Sequence, residues 1–143
     1  METKNKPKNL IIHHSAVSNS KNSDQYRAID NYHRGLGWGG IGYHYLIIPS
    51  GKIYGGRAED KVGAHCYQKN MNYFSLGICL TGNFDIEKPT DKQIFALRDL
   101  MKGLTKKYSI SKNNIWFHKD FAIKTCPGKN MDRGFIRNLV ANK

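Results

Sequence analysis

Three short apolar runs constrain this chain most: Leu10-Ile11-Ile12, Leu76 to Leu80, and Ile115-Trp116-Phe117. Each is too short for a helix that buries one face, and each is apolar enough to be a buried strand. Two of them run straight into a histidine, at His13 and His118. The longest helical signal lies between the second and third runs. Thr90-Asp91-Lys92-Gln93 has the form of a capping box, and Ile94, Leu97, Leu100, Met101, Leu104 and Tyr108 follow at helical spacing. A second helix is predicted from Ser23, as N-cap, to Leu36, with Tyr26 and Ile29 on its apolar face. Gly35, Gly37, Gly39, Gly40 and Gly42 then make a loop around Trp38. Tyr43 to Ile48 reads as a strand, Pro49-Ser50-Gly51 as a turn, and Lys52 to Tyr54 as the returning strand. A short helix is predicted over Met131 to Val140. This order predicts a single α/β domain with a central mixed β-sheet flanked by helices.

The 143 residues suffice for one domain with its own core. No apolar run approaches the ~18 residues of a membrane span, so no membrane insertion is expected. The opening METKNKPKNL has lysines but no apolar stretch of signal-peptide type. Residues 1–8 are expected to form a flexible basic arm, and 9–143 the functional domain. With 23 Lys+Arg against 11 Asp+Glu, the formal net charge is +12. That sign favours anionic partners without choosing among nucleic acid, anionic lipid and cell envelope. Three cysteines are too few for a disulfide scaffold, and fit a reducing compartment or a metal site better.

Most lone histidines are structural. His13 and His118 differ because a strand end holds a side chain rigidly at the rim of a core, which suits a metal ligand. Eight residues beyond His118 stands Cys126, within Lys124-Thr125-Cys126-Pro127-Gly128. Two imidazoles and a thiolate suit zinc, and three protein ligands leave a fourth position for water.

The segments His13-His14-Ser15-Ala16, Gly42-Tyr43-His44-Tyr45, Tyr54-Gly55-Gly56-Arg57, Gly63-Ala64-His65, Ser75-Leu76-Gly77-Ile78 and His118-Lys119-Asp120 precede Lys124-Thr125-Cys126-Pro127-Gly128. Together, and in that order, they resemble the type 2 zinc-dependent N-acetylmuramoyl-L-alanine amidases, a family that includes amidase-type phage lysozymes and peptidoglycan recognition proteins. The resemblance runs from residue 9 to about 130. It implies zinc as cofactor, held by His13, His118 and Cys126, with Tyr43 beside the zinc-bound water and Lys124 as the catalytic lysine of the phage-lysozyme branch. Recognition proteins usually carry threonine at that lysine position. Some bacterial members carry a glutamate where this chain has Cys79. The reaction implied is hydrolysis of the amide between the lactyl group of N-acetylmuramic acid and L-alanine, in bacterial peptidoglycan.

His14, the neighbour of His13, alternates to the opposite face and is expected to be structural or to line the substrate. His33, Trp38 and His65 are candidate substrate contacts, while His44 is expected to be buried and hydrogen-bonded and Arg57 to hold carbonyls or carboxylates. Anionic cell-wall polymers are a further expected partner, and no specific nucleic acid is expected. Three other readings remain: a non-catalytic recognition module, a cysteine amidase using Cys126 and His118, and a charge-driven nucleic-acid binder. Without a signal peptide, the expected setting is a host cytoplasm with holin-type release to the wall if phage-encoded, and otherwise a bacterial cytoplasm. The domain is also compatible with being the catalytic part of a longer endolysin.

Overall fold

The computed structural model describes residues 4–19 and 24–141. The strands are β1 (Asn9–His14), β2 (Tyr45–Ile47), β3 (Ile53–Gly55), β4 (Ser75–Leu80) and β5 (Ile115–Phe117). The helices are α1 (Tyr26–Gly35), α2 (Asp91–Tyr108) and α3 (Arg133–Asn138). The strands form one sheet in the order β3-β2-β4-β1-β5. β1 pairs in parallel with both β4 and β5, and β2 with β4, while β3 returns antiparallel at the edge. This is the mixed sheet the sequence predicts.

Alternation along the strands divides the core into two layers. Leu10, Ile12, Leu76, Ile78, Leu80, Ile115 and Phe117 pack with Leu97, Met101 and Leu104 of α2 and Ile136 of α3. Each fully buried side chain of this type contributes about 1.5–3 kcal/mol. On the other face Ile41, Leu46, Ile48 and Cys79 pack with Tyr26 and Ile29 of α1. The central strands are therefore covered on both sides, as their unbroken apolar runs require.

Helix α2 begins as its capping box dictates. Thr90 Oγ1 accepts from Gln93 N at 3.0 Å, and Gln93 Oε1 accepts from Thr90 N at 3.0 Å. Gln93 is fully buried, and its Nε2 donates to Ile47 O and Thr81 O, tying the helix to the ends of β2 and β4.

Several boundaries differ from expectation. The predicted cap Ser23 lies outside the described residues, and α1 is described from Tyr26. The β2 ladder starts at Tyr45 rather than Tyr43, because Gly42 N is held by His33 Nδ1 as the chain leaves the glycine loop. β3 is shifted by one residue, to Ile53–Gly55. α3 is shorter than the predicted 131–140, because Asp132 caps it by accepting from Phe135 N at 2.7 Å. The basic segment expected as a flexible arm is hydrogen-bonded into the domain from residue 4 onward. Lys4 bridges Lys61, Asn5 is buried, Asn5 N donates to Asp60 O, and Lys6 N and Lys8 N donate to Tyr73 O and Phe74 O. Among the described residues no helix is long and apolar enough to cross a membrane.

Candidate active site at the strand ends

The pairing of β1 with β5 sets Leu10, Ile11 and Ile12 opposite Ile115, Trp116 and Phe117. The next residues along the two strands are His13 and His118, so parallel register places the imidazoles side by side, with ring centroids 4.6 Å apart. His13 is the penultimate residue of β1 and His118 follows directly on β5, so both stand at the carboxyl ends of parallel strands, where open α/β sheets place their sites. The loop after β5 turns through His118–Asp120 and returns Cys126 to the same point, where Lys119 N donates to Cys126 O at 2.9 Å.

One donor atom from each of His13, His118 and Cys126 lies within 4.8 Å of the others. Cys126 Sγ stands 3.7 Å from His13 Nδ1. Two such donors bound tetrahedrally to one zinc ion would be about 3.5 Å apart, given bond lengths near 2.3 and 2.0 Å. That pair is therefore spaced as two ligands of a single metal ion would be, and the third donor lies within 4.8 Å of both. Burial, followed by His65, His118, His14 and Lys124, holds the His13 imidazole well below its ordinary range. Burial and then Lys124 bring His118 down to about 4. Both rings are thus neutral at pH 7, the state in which an imidazole offers a lone pair to a metal. Burial pushes the Cys126 thiol up to about 12, against the opposing pull of the His14 N–H and Lys124. His14 N points at Cys126 Sγ from 3.4 Å.

The trio sits in a cleft of about 320 Å³, also lined by His14, His33, Trp38, Tyr43, His65 and Lys124. The Tyr43 ring lies 5.0 Å from that of His13. Burial, with the Cys79 and Cys126 sulfurs, raises its phenol well above the ordinary value, so it is a donor at neutral pH. Trp38 leans on His33, with centroids 4.6 Å apart. His14 Nδ1 accepts from Phe84 N at 3.1 Å, on the face opposite His13 as alternation predicts. His44 is fully buried between Lys61 O and Gly77 N. Arg57 donates to Ile41 O, Val62 O and Trp38 O, three carbonyls of the loops around the site.

Two positions carry more of this geometry than the sequence reading gave them. Asp85 accepts from Thr125 Oγ1 at 2.8 Å and Lys129 N at 2.9 Å, clamping both sides of Cys126 to the loop after β4. His65, expected as a substrate contact, is buried, and its two ring nitrogens face His13 and Ser75. Asp85 has no local motif to betray it. The glycines at 63 and 77, which leave room for His65, are the available signal for the other.

A mixed α/β sheet whose strand ends gather two imidazoles and a cysteine, with a tyrosine and a lysine on the same cleft, defines an α/β protein with a candidate metal centre in its cleft. Residues 3–129 match the N-acetylmuramoyl-L-alanine amidase family model. The endolysin of Enterobacteria phage T3 is 34% identical over 134 residues, covering 90% of this chain and 85% of the relative. Peptidoglycan-recognition protein SC1a of Drosophila melanogaster is 32% identical over 127 residues, covering 85% and 68% respectively. An endolysin N-acetylmuramoyl-L-alanine amidase from Clostridium intestinale has the same fold, with a TM-score of 0.84 at 35% identity over 93% of this chain and 82% of that one. The chain belongs to the N-acetylmuramoyl-L-alanine amidase family and is a peptidoglycan hydrolase.

Proposed function

We propose that the chain is a zinc-dependent amidase in which His13, His118 and Cys126 hold the ion and Tyr43 and Lys124 act on the substrate. The observation that carries this reading is the donor trio, within 4.8 Å and with 3.7 Å between Sγ and Nδ1, in the cleft that Tyr43 and Lys124 line. Zinc held there would supply a nucleophile at neutral pH, by lowering the pKa of a bound water to about 7. The protein's own residues do the remaining work. Lys124 contributes a fixed positive charge that stabilises the oxyanion developing on the scissile carbonyl. Tyr43, a protonated phenol, donates a hydrogen bond to the reacting centre and then to the departing amine of L-alanine. His14, His33 and Trp38 form walls against which the muropeptide is held. Breaking the amide with one water yields the lactyl carboxylate and a free L-alanine amine.

The net charge of +12 holds the enzyme near anionic cell-wall polymers. Residues 9–143 act as the catalytic domain, with residues 4–8 hydrogen-bonded onto it. Delivery from a host cytoplasm by holin-type release belongs to the same reading, on the strength of the phage relatives.

Digestion of purified peptidoglycan, with and without a chelator, tests the proposal. New free amines that vanish with the chelator and return with zinc are the expected result. Amines that persist in chelator would overturn zinc dependence in favour of a Cys126 nucleophile. New reducing sugar ends in their place would mean the wrong bond.

A further inference from the structure

His13 uses both ring nitrogens. Its Nδ1 faces Cys126 Sγ, and its Nε2 lies 2.9 Å from His65 Nδ1. The other nitrogen of His65, Nε2, lies 3.3 Å from Ser75 Oγ, and Ser75 Oγ donates to Met71 O at 2.6 Å. The direction of this chain is set at its far end. A carbonyl oxygen can only accept, so the single Ser75 hydroxyl proton points at Met71. Ser75 Oγ must then accept from His65 Nε2–H, which leaves His65 Nδ1 as an acceptor. His13 consequently donates from Nε2–H, and its Nδ1 carries the free lone pair on the side of Cys126 and His118.

The surroundings are built for this ring. An added Cβ at Gly77 would lie 2.6 Å from the His65 ring, and one at Gly63 would lie 2.5 Å from it. Glycine inside a buried strand such as β4 sacrifices packing and backbone entropy, and commonly marks a close approach. Here the closely approaching group is the His65 imidazole, packed against β4, the strand next to β1. The backbone of His65 is fixed as well, since its N–H and that of Cys66 both donate to Asn72 Oδ1 at 2.9 and 2.8 Å.

We infer that His65 is a positioning residue for the metal centre: with Ser75 and the Met71 carbonyl it locks His13 in the Nε2–H tautomer and aims His13 Nδ1 at the ion. The inference deepens the zinc reading above and rests on it for its consequence, though not for the tautomer itself. Partners of this kind fix ring orientation, and losing one typically costs 10–100-fold in metal affinity or activity.

Two measurements on the full chain test it. In zinc-free protein, long-range proton–nitrogen correlation spectra of ¹⁵N-histidine-labelled material should show His13 protonated at Nε2 and bare at Nδ1. The opposite tautomer would overturn the inference whatever the metal does. Zinc affinity, by competition with a chromogenic chelator, should then weaken about 10–100-fold in His65→Leu. His65→Asn, whose Oδ1 can still accept from His13 Nε2–H, should recover most of that loss. Ser75→Ala, a smaller change at the far end of the chain, should weaken zinc severalfold and serves as the working variant if His65→Leu does not fold. Unchanged affinity in a folded His65→Leu or Ser75→Ala protein, or an Asn variant no better than Leu, would sink the inference. A wild-type protein with the expected tautomer and no zinc affinity would instead overturn the metal reading and leave the hydrogen-bond chain standing.

Discussion

His13 and His118 stand beside each other because Ile12 is paired with Phe117 one residue earlier on two parallel strands. The relationship is one of register, and it brings both imidazoles within reach of the Cys126 sulfur, as the proposed zinc site requires. His118→Ala and Cys126→Ala are therefore each expected to abolish both bound zinc and amide cleavage. Metal content by atomic emission, alongside amine release from peptidoglycan, checks this. Full zinc occupancy in either variant would remove that residue from the ligand set.

Lys124 and Tyr43 line the cleft without belonging to the donor trio. Lys124→Ala should keep its zinc and lose about 10²–10³ in turnover, the range seen when a single oxyanion-stabilising group is removed. Tyr43→Phe should also retain metal and lose at least about 10². Unchanged turnover in the Phe variant would reduce Tyr43 to a packing residue.

Glu59 collects Lys107 Nζ and the hydroxyls of Tyr45 and Tyr108, joining the loop after β3 to the end of α2. Burial alone would raise its carboxyl, but the hydrogen bonds from Lys107, Tyr108 and Tyr45 and the Lys107 charge outweigh burial and hold it at about 2, against an ordinary 4.5. A carboxyl whose folded value is depressed stabilises the fold fully above the unfolded value, and loses that contribution as pH falls towards the folded one. Urea unfolding should thus show stability declining between about pH 4.5 and 2. Glu59→Gln should cost about 1–3 kcal/mol at pH 7 and flatten that acid limb. An unaltered limb would show that other carboxyls produce it.

Gln93 reaches from the capping box of α2 to Ile47 O and Thr81 O with no exposed surface of its own. Replacing it with Leu leaves two carbonyls without this donor and removes half of the cap. The expected loss is about 2–4 kcal/mol in thermal or urea unfolding, with zinc content unchanged. A loss below about 0.5 kcal/mol, the range of an ordinary surface substitution, would mean that water replaces the amide.

Much of this protein was legible in its sequence. The apolar runs ending at His13 and His118 gave β1 and β5, the Thr90–Gln93 box gave the start of α2, and alternation put His14 on the face away from His13. These are local effects, written in the period of the side chains and the chemistry of neighbouring residues. The histidine–cysteine trio could be suspected for the same reason, since two members sit where strands stop. Its geometry could not be read, because Cys126 and His13 are 113 positions apart in sequence and meet only through the way the loop after β5 folds back. The anchoring of residues 4–8, the Asp85 clamp and the His13–His65–Ser75 chain were likewise decided by tertiary structure. Each joins groups far apart in sequence, through hydrogen bonds whose partners meet only once the parallel register and the layers on either side of the sheet have formed.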